Sequence, residues 1–460
     1  MKIKLTYTKG TLLLILAILL WVFFNVKVWS RSEEHGGLIS YDVTNYYSYL
    51  PAYFIHDDLT FRFVDQDSID YRGESKFFPL AVEGTDKYVV KVTMGMSFLY
   101  APFFGMAHAV ASSSDSMEAD GFSAVYEFFL GLAGLFYCFI GLVYLRLILL
   151  KHFTEIISSL VLLVVLFGTN MFYYATTEPA MSHVFSFALI SSLLYYAIQW
   201  LNSRKWPYMA AIGLLTGLII LVRPVNILVL IVPVLYGINT WSLFVKRCKL
   251  FWDYKIQLGI SVIIAFIVLL PQFVFWKLNT GSWIFYSYTE EQMYLLNPHI
   301  WDGLFSYRKG WFLYTPVMLI AFLSLCFSFR KSQKWSLGVL VFLILFVYVT
   351  FSWWCWWYGG SFGARSMIDV YAFMTLPLGM LFTSISNKRW MTYGGVGVFV
   401  LLIALNLIQT QQKRLEIIHW DAMTKEAYWA TFLKLDNPKN YQHLYLAPNY
   451  EKAVKGEDEY

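Results

Sequence analysis

About eleven stretches of mostly apolar residues, each close to twenty residues long and separated by short segments where lysine and arginine gather, constrain this chain most. A helix that crosses a bilayer needs about 20 such residues, fewer where Trp, Tyr or Lys marks the interface. The stretches are Thr11–Trp29, Gly121–Leu150, Ile156–Tyr174, Ala180–Leu201, Pro207–Val222, Pro224–Phe244, Ile256–Trp276, Phe312–Phe329, Trp335–Trp354, Met367–Ser384 and Trp390–Thr410. The composition agrees: 58% of the residues are apolar and 14% charged, more hydrophobic surface than a soluble core can bury. The expectation is an all-α polytopic membrane protein of the cell inner (plasma) membrane.

The charges assign the faces. Met94–Ala111 is a further apolar run, but it contains Pro102 and leads into an acidic segment without a base. If it does not cross, every segment on one side is basic: Lys2/Lys4/Lys9, Arg146/Lys151, Arg204/Lys205, Lys246/Arg247/Lys249, Arg330/Lys331/Lys334 and Lys388/Arg389. Cytoplasmic loops carry that excess. The run is therefore expected to be a re-entrant or interfacial helix, with the N-terminus cytoplasmic and Thr11–Trp29 a retained signal anchor. The domain reading is a transmembrane domain over 1–410, with an outer loop at 30–93, and a short polar tail over 411–460 on the outer side. The formal charge of +5 reflects topology, so no nucleic-acid partner is implied. Of the four cysteines only Cys355 falls in an outer aqueous loop, which leaves no intrachain disulfide.

The chemistry-capable residues collect on the outer side. Asp42 stands among tyrosines just beyond the first span, where partial burial would suit a general base; a solvated loop acid is the bland reading. Glu178 opens the span after Tyr174 and His183 follows within it; they face a polar cavity, or they cap a helix and donate a hydrogen bond between helices. Lys91, Arg223, Lys309 and Arg365 are bases on the disfavoured side, explained either by a phosphate at headgroup depth or by snorkelling. In Ser352–Arg365 four tryptophans precede a Gly-Gly-Ser-Phe-Gly turn. Trp356 and Trp357 are placed there to stack on a sugar, or to form an interfacial girdle. No metal cage, phosphate-cradling glycine loop or Ser/His/Asp set is evident.

In their order along the chain these residues resemble the type-C (GT-C) integral membrane glycosyltransferases. The similarity lies in an acid early in the first outer loop, a Lys before an apolar half-helix and an acid opening the span after Tyr174. A Leu-Val-Arg-Pro, a Lys-Gly-Trp-Phe-Leu-Tyr-Thr-Pro and a Gly-Gly-Ser-Phe-Gly-Ala-Arg complete it. The resemblance implies a GT-C-like fold that transfers a sugar, with inversion, from a polyprenyl-phosphate or diphosphate donor to a hydroxyl of a glycan, lipid or protein outside the cytoplasm. It implies Asp42 as the base, Glu178 as a second acid, and Lys91 with Arg365 on the lipid phosphate. No cofactor is required, and a divalent cation is compatible with the carboxylates. Lys91 is followed by Val-Thr-Met-Gly where many relatives carry a Pro-Pro pair, and the tail is too short for a large sugar-binding domain, so the acceptor class stays open. The alternative from another class is a transporter or flippase of lipid-linked oligosaccharide, which predicts charges near mid-membrane in paired halves.

Overall fold

A computed structural model describes residues 6–30, 37–66, 77–331, 333–436 and 441–457. Lys2 and Lys4 lie outside the described residues, as do parts of the first outer loop. Six helices are long and apolar enough to cross a membrane, counting only described residues: Tyr7–Ser30, Ala124–Leu149, Ser182–Ser203, Lys255–Thr280, Arg365–Ile385 and Arg389–Arg414. Shorter apolar helices occupy Glu155–Phe167, Trp206–Val222, Pro224–Leu235 and Ser336–Thr350. The chain is a mostly helical membrane protein.

Between such helices lipid offers no hydrophobic drive, so close packing through small residues holds them together. Gly213 and Gly217, one turn apart on Trp206–Val222, show the device. A methyl group added at Gly213 would come within 2.4 Å of the Ser261 carbonyl oxygen, so that helix and Lys255–Thr280 meet backbone to backbone.

Three expected spans are interrupted. Glu155–Phe167, capped by the Thr154 side chain, ends at Gly168, and a separate helix runs over Met171–Thr176. The break frees the Asn170 side chain, which donates to the Phe362 carbonyl at 3.0 Å and accepts from the Tyr371 hydroxyl at 2.6 Å. The stretch 224–244 divides around Gly237, whose φ is 79°, into Pro224–Leu235 and an amphipathic helix, Trp241–Asp253, none of whose residues is buried. The stretch 312–329 breaks at Thr315–Pro316 into Trp311–Tyr314 and Pro316–Ser328.

The residues in the long outer loop form short helices, Asp42–Tyr47, Tyr49–Phe54 and Phe63–Gln66, and the chain's small β-hairpin, Leu80–Ala81 against Tyr88–Val89. The aromatic start of the loop does not lie free on a surface. Tyr47 is fully buried between the rings of Tyr100, Phe104 and Phe122. Met94–Ala111 is helical, over Gly95–Ser112, and receives Asp42–Tyr47 through a Ser97 hydroxyl bond to the Tyr46 carbonyl.

The basic clusters share one end of the bundle. There Arg146 and Glu155 bind Thr8, His152 meets Tyr236, Gly237 bonds the Lys334 carbonyl and Arg247 holds the carbonyls of Pro233, Val234 and Tyr236. At the other end the segment 277–311, the second loop expected on the outer side, pairs with the tryptophan run through Met293 and Trp353. The tail docks on both: Tyr294 and Arg308 of the loop reach the Val454 and Asp421 carbonyls, and Tyr450 packs on Trp357 of the tryptophan run.

Candidate active site

The second end gathers Asp42, Lys91, Glu178, His183, Arg223 and Arg365 from six separate segments. Asp42 is the first residue of its short helix and follows Tyr41, whose φ of 53° and ψ of −119° are outside the usual regions for a side-chain-bearing residue. Such strain persists only where surroundings impose it, and it collects at functional sites. The Asp42 carboxylate is 48% exposed and accepts from Arg365 Nη2 at 2.8 Å. An ion pair, not burial among tyrosines, is its environment. Behind it, burial and then the Asp42 charge raise the Tyr46 phenol above its ordinary pKa. Tyr288 is raised for the same reasons, burial first. Both remain neutral hydroxyls that can donate.

Arg223 sits at the junction of two helices, where Pro224 prevents the first from continuing. One guanidinium nitrogen, Nη1, donates to Asp369 Oδ2 at 3.0 Å and to His183 Nδ1 at 3.2 Å. A guanidinium is only a donor, so His183 accepts through Nδ1 and carries its proton on Nε2. It is thus an acceptor here, not the interhelical donor that is the simplest expectation. Asp369 is fully buried and takes a second bond from Asn226 Nδ2 at 2.9 Å. The Arg223 guanidinium lies 5.9 Å from the Tyr358 ring, whose phenol is pushed by burial up to about 12.

Lys91 pairs with Glu291 and lies 5.2 Å from the Tyr288 ring centre. Glu178 does not cap the following helix, which begins at Ser182 with Met181 before it. Its carboxylate accepts from the Tyr173 hydroxyl at 2.8 Å. Gly134 makes that turn possible: a side chain there would fall 2.0 Å from the Pro179 carbonyl oxygen.

Two expectations change. Lys309 is not a solvent-facing base: it is 2% exposed, and its ammonium donates to the carbonyls of Ser361 and Trp420. Burial, and next the nearby Lys413 charge, lower its pKa well below the usual lysine range. Trp356 and Trp357 are 1% exposed, with their indoles against one another, His299 and Tyr450. Covered faces cannot stack on a sugar, so these two build the wall under the glycine turn. Among the described residues no group of three or more His, Cys, Asp or Glu side chains is placed to hold a metal ion.

No protein-family model matches the sequence, and no curated protein matches it. Among solved structures, the chain is similar to the crystal structure of ArnT from Cupriavidus metallidurans in the apo state. Sequence identity is 14%, the TM-score is 0.44, and the match covers 68% of this chain and 54% of that one. The matched region thus spans about half the length of that protein. A likeness at this level decides nothing about function, which has to be read from the geometry of the site.

Sequence reasoning missed Asp369, Asn226, Glu291 and Tyr288. Asp369 had a signal: it is the one acid inside Met367–Ser384, and an ionisable residue within a span marks function by default. Asn226 lies in the Arg-Pro-Val-Asn segment that already holds Arg223. Glu291 and Tyr288 carry no local signal; only the folding of the second outer loop over Lys91 reveals them.

Proposed function

We propose that this chain is a GT-C-type membrane glycosyltransferase that moves a sugar from a polyprenyl-phosphate or diphosphate to an acceptor hydroxyl on the non-cytoplasmic face. The observation that carries the reading is a half-exposed carboxylate held by the Arg365 guanidinium at Asp42, with Tyr288 between it and a base, Lys91, that lies three residues before the wall of an apolar cavity. The cavity has a volume of about 450 Å³ and lies between Tyr49–Phe54, Gly95–Ser112 and Lys255–Thr280, lined by residues such as Leu50, Phe98 and Val274. Met94, three residues after Lys91, is part of its wall. A prenyl chain in the cavity brings its phosphate to Lys91, with Arg365 as the second cation.

The residues then divide the work. Asp42 takes the proton of the acceptor hydroxyl as its oxygen attacks the anomeric carbon from the face opposite the phosphate. The carbon–oxygen bond to the phosphate breaks, and the lipid phosphate leaves with the electron pair, which inverts the configuration. A phosphate needs no protonation to leave when cations neutralise its developing charge, and Lys91 and Arg365 supply them. Arg365 also fixes the carboxylate that must receive the proton.

The test is Asp42→Asn, whose amide oxygen still accepts from Arg365 but cannot take a proton. Donor binding should persist while turnover of labelled sugar from a purified polyprenyl-linked donor falls roughly a hundredfold. Asp57→Asn, at an exposed loop position of positive φ that asparagine tolerates, is the silent control. Transfer by Asp42→Asn at the parental rate would remove Asp42 from the role.

A further inference from the structure

Near Arg365 lies a second cationic centre that has no part in the proposed transfer step. Lys413, in the last turn of Arg389–Arg414, is 8% exposed, and among the described residues its ammonium has neither a hydrogen bond nor an ion pair. Lys309, at 2% exposure, reaches backbone carbonyls, and among the described residues no carboxylate lies within ion-pairing distance of it. Lys309 senses the Lys413 charge, Lys413 also senses the exposed Glu416, and both sense Glu178 and Asp421. Those acids have other partners: the Glu178 carboxylate takes the Tyr173 hydroxyl, and Asp421 takes the Tyr450 hydroxyl and faces His419. Arg414 comes from the same turn and binds the hydroxyls of Thr177 and Thr176 at 2.7 and 2.6 Å, immediately before Glu178.

Two buried lysines so placed, neither in an ion pair among the described residues, stay charged only at a cost unless an anion joins them. We propose that Lys413 and Lys309 anchor an anionic group of the acceptor, a phosphate or carboxylate carried near the hydroxyl that receives the sugar. The inference rests on the glycosyl-transfer reading. It adds a position: Glu178, which both lysines sense, and Asp42 are charged neighbours of the same Arg365, so an anion held by the lysines sits near the proposed base. An acceptor lacking the anion would still meet Asp42 but would lose its second point of attachment.

Equilibrium dialysis of the full chain in lipid nanodiscs against radiolabelled orthophosphate tests this in a Lys91→Met background, which weakens the donor-phosphate site by removing one of its two cations. One saturable phosphate per chain is expected. Adding Lys413→Met, close in volume, should weaken it about tenfold, the loss of one charge-assisted contact, and Lys413→Arg should restore it. Competition by acetate at constant ionic strength assigns a carboxylate; phosphate held against acetate assigns a phosphate. Equal affinity with and without Lys413, or no saturable binding, overturns the proposal. Sugar transfer plays no part in this measurement, so an inactive chain that binds phosphate through Lys413 refutes only the transfer reading. In an active chain, Lys413→Met should raise KM for the acceptor about tenfold and leave KM for the donor unchanged.

Discussion

Replacing Asp369 with asparagine removes one charge from the most deeply buried ion pair of the site and little else. Its amide oxygen can keep the bonds from Arg223 Nη1 at 3.0 Å and Asn226 Nδ2 at 2.9 Å, so the perturbation isolates the charge. At 3.0 Å two unit charges attract by about 5 kcal/mol for an effective dielectric constant of 20. Relief from burying the carboxylate offsets part of this, and breaking a buried pair from one side typically costs about 3 kcal/mol. Arg223 keeps only a neutral imidazole as its other side-chain acceptor, so no second carboxylate compensates. Unfolding free energies from SDS titration in mixed micelles, followed by circular dichroism, should fall by about 3 kcal/mol for Asp369→Asn and similarly for Arg223→Gln. The double variant should be less damaged than the sum by about 2 kcal/mol, because once both charges are gone neither is stranded. Additivity within about 0.5 kcal/mol would refute the idea that the pair is a unit.

Burial pushes the Cys355 thiol up to about 12, so at pH 8 only about one molecule in ten thousand is thiolate, and the folded chain should leave Cys355 unlabelled by maleimide while the exposed Cys248 reacts. Rapid labelling of Cys355 before unfolding, read by peptide mass spectrometry, would contradict the packed tryptophan loop. Single cysteines placed at Ser113 and Ser203 in an otherwise cysteine-free chain should react with impermeant reagents from opposite faces of sealed vesicles. Reaction from the same face would overturn the topology built on the basic clusters.

Local pattern sets the helices well where lipid and neighbours ask only for apolar residues: Ala180–Leu201 is expected and Ser182–Ser203 is found, Trp390–Thr410 expected and Arg389–Arg414 found. It fails where a distant partner breaks a helix. The interruption after Gly168 is sustained by Asn170 gripping a loop about 190 residues later, a contact no local window contains. The same division runs through the site. Asp42 and Arg365 are legible because the one acid of the aromatic Tyr41–Tyr49 segment and a base on the disfavoured face need reasons, and the structure pairs them. Composition cannot tell whether Trp356 and Trp357 face a cavity or fill one, because the answer lies with His299, Tyr450 and the docked tail. Lys309 is misread for a similar cause: both of its carbonyl partners come from segments more than fifty residues away.

The grip of Lys309 on Ser361 and Trp420 also sets an order of events in biosynthesis. Ribosomes deliver the membrane helices first, and the tail residues that clasp this lysine emerge only after Arg389–Arg414 has been made. Until then Lys309 and Arg308 lack the carbonyls of Trp420 and Asp421, and the glycine turn lacks its bond from Ser361 to Trp420. The newborn protein thus carries this end of the bundle open while the helices assemble, and a stretch of polypeptide made after the helices it clasps is the latch that closes it.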